Sequence, residues 1–215
     1  MAHCAHIPAF VLHQVTCQFA TGQTLFGPLN LSLEPTLCGL VGRNGVGKTR
    51  LLRLLAGFES PAGGHVERAA AVAWVAQQPT LTPETTLAAL LGYAPVFDAL
   101  FRLEQGNGLA DDFELLDGHW DLTDRLSLAF READLPPFSA DRPAFSLSGG
   151  ERMKALLCGA FVSGADYLLL DEPTNHLDRQ GREWLYHQLE SWQGGALIAS
   201  HDRELLTRMP RIIAL

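Results

Sequence analysis

Gly42-Arg43-Asn44-Gly45-Val46-Gly47-Lys48-Thr49 is the stretch on which the fold turns. Glycines stand where a backbone must curl tightly, and a cation and a hydroxyl stand where the curl ends. In such a curl successive amide N–H groups point into one concavity, which suits an anion such as phosphate. Just upstream, Thr36 to Val41 reads as a short buried strand. Downstream, Leu51, Leu52, Leu54 and Leu55 repeat with helical spacing and stop at Gly57. Strand, glycine loop and helix follow one another in the order that a phosphate cradle requires. Average residue usage gives this pattern a chance frequency on the order of 1% over the chain.

Outward from the loop the pattern is consistently α/β. Phe10 to Phe19 is rich in β-branched and aromatic residues. Leu29, Leu31 and Leu33 alternate with Asn30, Ser32 and Glu34, which predicts an antiparallel sheet layer. Pro61 to Gly64 predicts a turn into a strand over Ala69 to Ala76. From Pro79 to Phe145 the chain reads as helical, with helices over Leu87 to Leu103 and Trp120 to Ala133 joined by a connector from Gly106 to Gly118. Beyond it come helix (Glu151 to Val162), strand (Tyr167 to Leu170), helix (Arg179 to Trp192), strand (Ala196 to Ala199) and a last strand over Arg211 to Leu215, the mark of a parallel sheet.

Composition narrows the classes. The 215 residues are 47% hydrophobic and 19% charged, too apolar for a disordered chain and enough for one sizeable core. A net charge of −8 provides no global attraction to nucleic acid, so any such contact is local. Met1 to Val15 lacks the features of a signal peptide. The apolar stretch Leu87 to Phe101, broken by Gly92, Pro95 and Asp98, is too short to span a bilayer, and the expected location is the cytoplasm. Cys4, Cys17, Cys38 and Cys158 form no CxxC pair and read as reduced, mostly buried thiols. His3, Cys4 and His6 are near one another, but two imidazoles on a chain terminus make a weak metal site.

Four further segments carry chemistry. Tyr167-Leu168-Leu169-Leu170 delivers Asp171 and Glu172 to the carboxyl end of a buried strand, where α/β sheets place ligands. Asp171 suits orienting magnesium through a water, and Glu172 suits polarising a water that attacks a γ-phosphate. Lys48 suits the β- and γ-phosphates, and Thr49 offers magnesium the hard oxygen it prefers. His201, just past the last buried strand, is in place to reach a γ-phosphate. Ser146-Leu147-Ser148-Gly149-Gly150-Glu151 is a second glycine-rich helix start, suited to anions like the first. Two such loops on one chain point to a composite site.

Together these residues resemble the ATP-binding cassette family along essentially the whole chain. Gly42 to Thr49 looks like its Walker A loop, followed by Arg50. Gln77 looks like the Q-loop glutamine, Leu147 to Glu151 the signature, Leu168 to Glu172 Walker B, Leu177-Asp178 the D-loop and His201 the switch histidine. The resemblance implies a P-loop α/β cassette with an antiparallel β subdomain and a helical subdomain. Its core would be 1–78 with 147–215, and its helical part 79–146. The nucleotide would contact Phe19 by stacking and Gly42, Arg43, Asn44, Gly45, Val46, Gly47, Lys48, Thr49 and Arg50 along the loop. Glu172, His201 and Gln77 would serve catalysis, and Thr49, Gln77 and Asp171 would hold Mg2+. Two cassettes would pair head to tail, so that Leu147, Ser148, Gly149, Gly150 and Glu151 face the ATP of a partner cassette.

Pro173-Thr174-Asn175-His176-Leu177-Asp178 is similar to the F subfamily, tandem-cassette proteins without membrane domains, many of which act at the ribosome. Glu151 and the stretch from Trp120 to Leu135 agree with that subfamily. The chain is therefore expected to be the first of two cassettes, with a homodimer as the other arrangement. An ATPase subunit energising a membrane transporter is the rival function. A long basic arm between Gln77 and Ser148 is missing, and Arg102, Arg125, Arg131 and Arg142, spread among acids, read as a solvated face.

Overall fold

The computed structural model describes residues 7–19, 21–79 and 81–215. In it the strand before the glycine loop is β3 (Leu37–Val41) and the helix after it is α1 (Lys48–Leu55). β3 sits in a parallel sheet with β5 (Val72–Val75), β6 (Tyr167–Asp171), β7 (Gly195–Ala199) and β8 (Arg211–Ala214), in the order β5-β6-β7-β3-β8. Every residue of β6 and β7 is buried, as their unbroken apolar runs require. Ala199 of β7 pairs with Leu40 of β3 on one side and Asp171 of β6 on the other. The carboxyl ends of three strands therefore lie side by side, each leading into a loop that carries chemistry-bearing residues.

A second, antiparallel sheet has the order β2-β1-β4, from β1 (Phe10–Gln18), β2 (Thr24–Leu33) and β4 (Gly63–Arg68). Phe10 and Leu12 are buried, then Val15 and Cys17. Gln14, at φ 51, inserts a bulge that moves the inward phase by one residue. Leu51, Leu52, Leu54 and Leu55 of α1 are fully buried in the same core, where Phe10 meets Tyr167 edge-on at 5.0 Å. Each such leucine contributes about 2 kcal/mol relative to exposure.

The chain divides into two compact units. One comprises the described residues up to Gln77 with Gly164–Asn175 and Leu185–Leu215, and the other Gln78–Ser163 with His176–Trp184. The second unit is helical: α2 (Leu87–Leu90), α3 (Ala94–Glu104), α4 (Ala110–Leu115), α5 (Leu122–Glu132) and α6 (Gly149–Phe161), with α7 (Arg179–Ser191) contributing residues to both units. Phe130, Leu116, Leu122 and Leu126 fill its core. This unit extends past the expected 79–146 because Leu147, Ala155 and Cys158 are buried in that same core.

Several boundaries differ from the sequence reading, for local reasons. The helix expected over Leu87 to Leu103 is two helices, because Gly92 takes φ 81 and Pro95 starts α3 afresh. The connector from Gly106 to Gly118 contains α4, which is fixed by capping rather than by apolar spacing. Asp112 accepts from the Leu109 amide at 2.8 Å and, buried, pairs with Arg102. The segment after Pro61 holds β4 before β5, a mostly exposed edge strand with too few apolar residues to announce itself. The solvated-face reading of the arginines is corrected at two positions: Arg102 binds Asp112, while Arg125 donates to Asp121 and to the Gly118 and Val162 carbonyls. α8 (Arg203–Thr207) was also unannounced; Asp202 caps it through the Glu204 and Leu205 amides. Cys17, Cys38 and Cys158 are free and buried, and burial pushes the Cys158 thiol up to about 12. Cys4, His3 and His6 lie outside the described residues. Among the described residues no helix is long and apolar enough to cross a membrane.

Candidate nucleotide site

Gly45 and Gly47 take φ 79 and 109, a left-handed region where a side chain is strained. At Gly47 a Cβ would also come within 2.7 Å of the Phe26 ring. These two positions let the chain turn from β3 into α1 with the helix start facing a cleft. The first-turn amides of a helix have no intrahelical acceptor, and the helix dipole adds positive potential there. Both features favour an anion.

The side chains at the three strand ends converge on that helix start. Lys48, only 8% exposed, donates from Nζ to the Gly42 carbonyl at 2.9 Å and lies 3.1 Å from His201 Nε2. Thr49 Oγ1 donates to Asp171 Oδ2 at 2.7 Å. Glu172 takes φ 50, an uncommon conformation that costs of order 1–3 kcal/mol and persists only where the surroundings enforce it. Its Oε2 accepts from the His201 backbone amide at 3.2 Å, and its Oε1 is 3.5 Å from His201 Nε2. Thr174 and Ser200 are buried beside one another, and the Ser200 hydroxyl accepts from the Asp202 amide at 3.0 Å.

Burial pushes the Asp171 carboxyl above its ordinary range, against the pull of the Thr49 hydroxyl and the Lys48 charge. Burial also raises Glu172, with the Asp171 charge adding and His201 and Lys48 opposing. A carboxyl shifted toward neutrality is a better proton acceptor at physiological pH. A hydroxyl and a buried carboxylate sharing a hydrogen bond, with the Gln77 amide on the same cleft, form an oxygen donor set that fits a hard divalent ion such as magnesium.

The cleft measures about 540 Å³. Among the residues expected at the site, Phe19, Asn44, Gly45, Gly47, Lys48, Thr49, Arg50, Gln77, Glu172 and His201 line it. Gly42, Arg43, Val46 and Asp171 are not among the lining residues; Gly42 and Asp171 act on the site through Lys48 and Thr49. Arg50 is anchored by Glu59 at 3.0 Å and the Gln18 carbonyl at 2.9 Å. Gln77 faces the cleft, and the adjacent Gln78 does not line it. Sequence reasoning assigned no part in the site to Leu25 or Asn175, which also line it. Asn175 could have been found, since it follows the strand-end acids in a turn of capping residues. Leu25 carries no such signal.

The second glycine loop belongs to the helical unit. Ser148 caps α6: its hydroxyl accepts from the Glu151 amide at 3.2 Å, and the Glu151 carboxylate accepts from the Ser148 amide at 2.7 Å. The Ser148 contact holds the Glu151 carboxyl below its usual range. That contribution is complete above the unfolded carboxyl range and is lost as pH falls through the folded one. A Cβ at Gly150 would lie 2.8 Å from the His176 carbonyl, so only glycine fits without a shift. Ser148→Ala is expected to lower stability by about 1 kcal/mol, read as a fall in the urea midpoint.

A glycine loop between parallel strand and helix, with a lysine, a threonine and two strand-end carboxylates converging beside it, defines a phosphate-binding-loop nucleotide fold. The chain belongs to the ABC transporter family, whose model matches residues 27–175. It is 34% identical to the energy-dependent translational throttle protein EttA of Mycobacterium tuberculosis (strain ATCC 25618 / H37Rv), covering 94% of this chain and 37% of that protein. It is 39% identical to the ATP-binding protein Uup of Caulobacter vibrioides, covering 97% of this chain and 30% of that one. The chain thus spans about a third of these relatives. A bacterial ABC transporter cassette solved as a dimer shares the fold, with a TM-score of 0.71 at 20% identity, covering 96% and 94% of the two chains.

Proposed function

We propose that this chain is an ATP-binding and ATP-hydrolysing cassette of the ABC-F type, acting with a second cassette as an ATP-driven clamp on the ribosome. The observation that carries the reading is the convergence of Lys48, Thr49, Glu172 and His201 on one cleft, with Asp171 bonded behind Thr49. Lys48 and the α1 amides hold the β- and γ-phosphates, and Phe19, 44% exposed at the rim, stacks on the adenine. Glu172 takes the proton of the attacking water, and His201 contacts the γ-phosphate. Thr49, Gln77 and Asp171 would hold magnesium, which would supply neutralisation of phosphate charge. Leu147 to Glu151 face the nucleotide of the partner cassette, supplied in tandem or by a second copy. Likeness to a protein named as a translational throttle supports the ribosome as target and the cytoplasm as location.

The test is affinity capture from lysate with full-length Glu172→Gln protein as bait, with and without ATP and magnesium. Ribosomal proteins retained only with ATP are the expected result. Retention of a membrane permease instead would overturn the ribosome reading in favour of a transporter subunit.

A further inference from the structure

The antiparallel sheet carries a second group of ligating side chains, none of which lines the nucleotide cleft. His13 of β1 lies opposite His65 of β4, and Glu67 follows His65 by two residues, so all three stand on one face of the sheet. Their side chains are 45%, 66% and 62% exposed. Glu67 Oε1 is 3.2 Å from His13 Nε2 and 3.6 Å from His65 Nε2. The imidazoles stack with centroids 4.5 Å apart, and the three donor atoms lie within 4.8 Å of one another.

A tetrahedral ion with bonds of roughly 2.0–2.1 Å keeps its ligand atoms about 3.4 Å apart, close to the two carboxylate–imidazole spacings; the stacked rings, both exposed, turn about their Cβ–Cγ bonds to aim both nitrogens at the ion. Two imidazoles and a carboxylate suit a borderline divalent ion such as zinc and leave one coordination position for water. Magnesium, which seeks oxygen, is a poor match. The backbone beside His13 is held by the Gln14 bulge, whose amide donates to Asn30 Oδ1 at 2.9 Å. We propose that His13, His65 and Glu67 form a surface zinc-class site that ties the edge strand β4 to β1. This site stands apart from the nucleotide reading and holds whether or not the chain hydrolyses ATP.

Equilibrium dialysis against zinc chloride without nucleotide tests it, using full-length protein carrying His3→Asn, Cys4→Ser and His6→Asn so that the terminal groups do not contribute. The background protein is expected to take up one zinc ion per chain from this site, and adding His13→Asn or His65→Asn is expected to weaken that uptake about tenfold or more. The melting temperature should rise with zinc in the background protein and stay flat in the His13→Asn/His65→Asn form. Magnesium should leave that difference unchanged. Exposed positions tolerate these substitutions, and matching zinc-free melting temperatures would establish intact folding. Absence of saturable zinc uptake by the background protein would overturn the proposal. Equal uptake by the double variant would do the same, leaving Glu67 as a plain hydrogen-bond partner of two imidazoles.

Discussion

Glu172→Gln is expected to lower ATP turnover by about 10²- to 10⁴-fold while leaving ATP bound. Glutamine preserves the shape of the side chain and one oxygen, so the hydrogen bond from the His201 amide at 3.2 Å can persist. What disappears is the proton acceptor. Burial already moves the Glu172 carboxyl toward neutrality, which gives a carboxylate the basicity the step needs. Single-turnover phosphate release alongside filter binding of ATP separates the two effects. Hydrolysis at the parent rate would remove Glu172 from its assigned role.

Lys48→Ala is expected to act on binding itself, weakening ATP affinity about 10- to 100-fold, the worth of a hydrogen bond to a charged group. Lys48 lies between the loop carbonyl of Gly42 and the ring of His201. Alanine leaves the Gly42 carbonyl without that donor and removes the positive charge beside His201. Lys48→Arg would not substitute freely, because a planar fork cannot occupy the place of a compact ammonium. A fluorescent ATP analogue reads the affinity directly, and unchanged binding would contradict the phosphate-cradle assignment.

The parts legible in the sequence are those in which one local pattern sets both structure and chemistry. The glycine loop needs left-handed residues at Gly45 and Gly47, and close packing against Val46 and the Leu215 carbonyl leaves little room for a side chain at Gly42. The buried runs of β6 and β7 announce parallel strands because they are apolar up to Asp171 in β6 and through Ala199 in β7. The polar elements were hidden. β4 presents His65 and Glu67 to solvent, and α4 owes its place to Asp112 capping it and pairing with Arg102, which apolar periodicity does not register. Arg125 looked like surface charge and instead binds two carbonyls, a role visible only once α5 and the end of α6 are brought together. The His13–His65 pairing belongs to the same class. Fifty-two positions separate the two residues, and only strand register makes them neighbours.

The central claim is that the cleft beside α1 is an ATP site, and isothermal titration of Glu172→Gln protein with ATP in the presence of magnesium tests it most directly, because nucleotide is not consumed. The account predicts saturable binding of one ATP per chain, weakened when Lys48→Ala is added. Absence of saturable binding, or binding untouched by loss of Lys48, would contradict it.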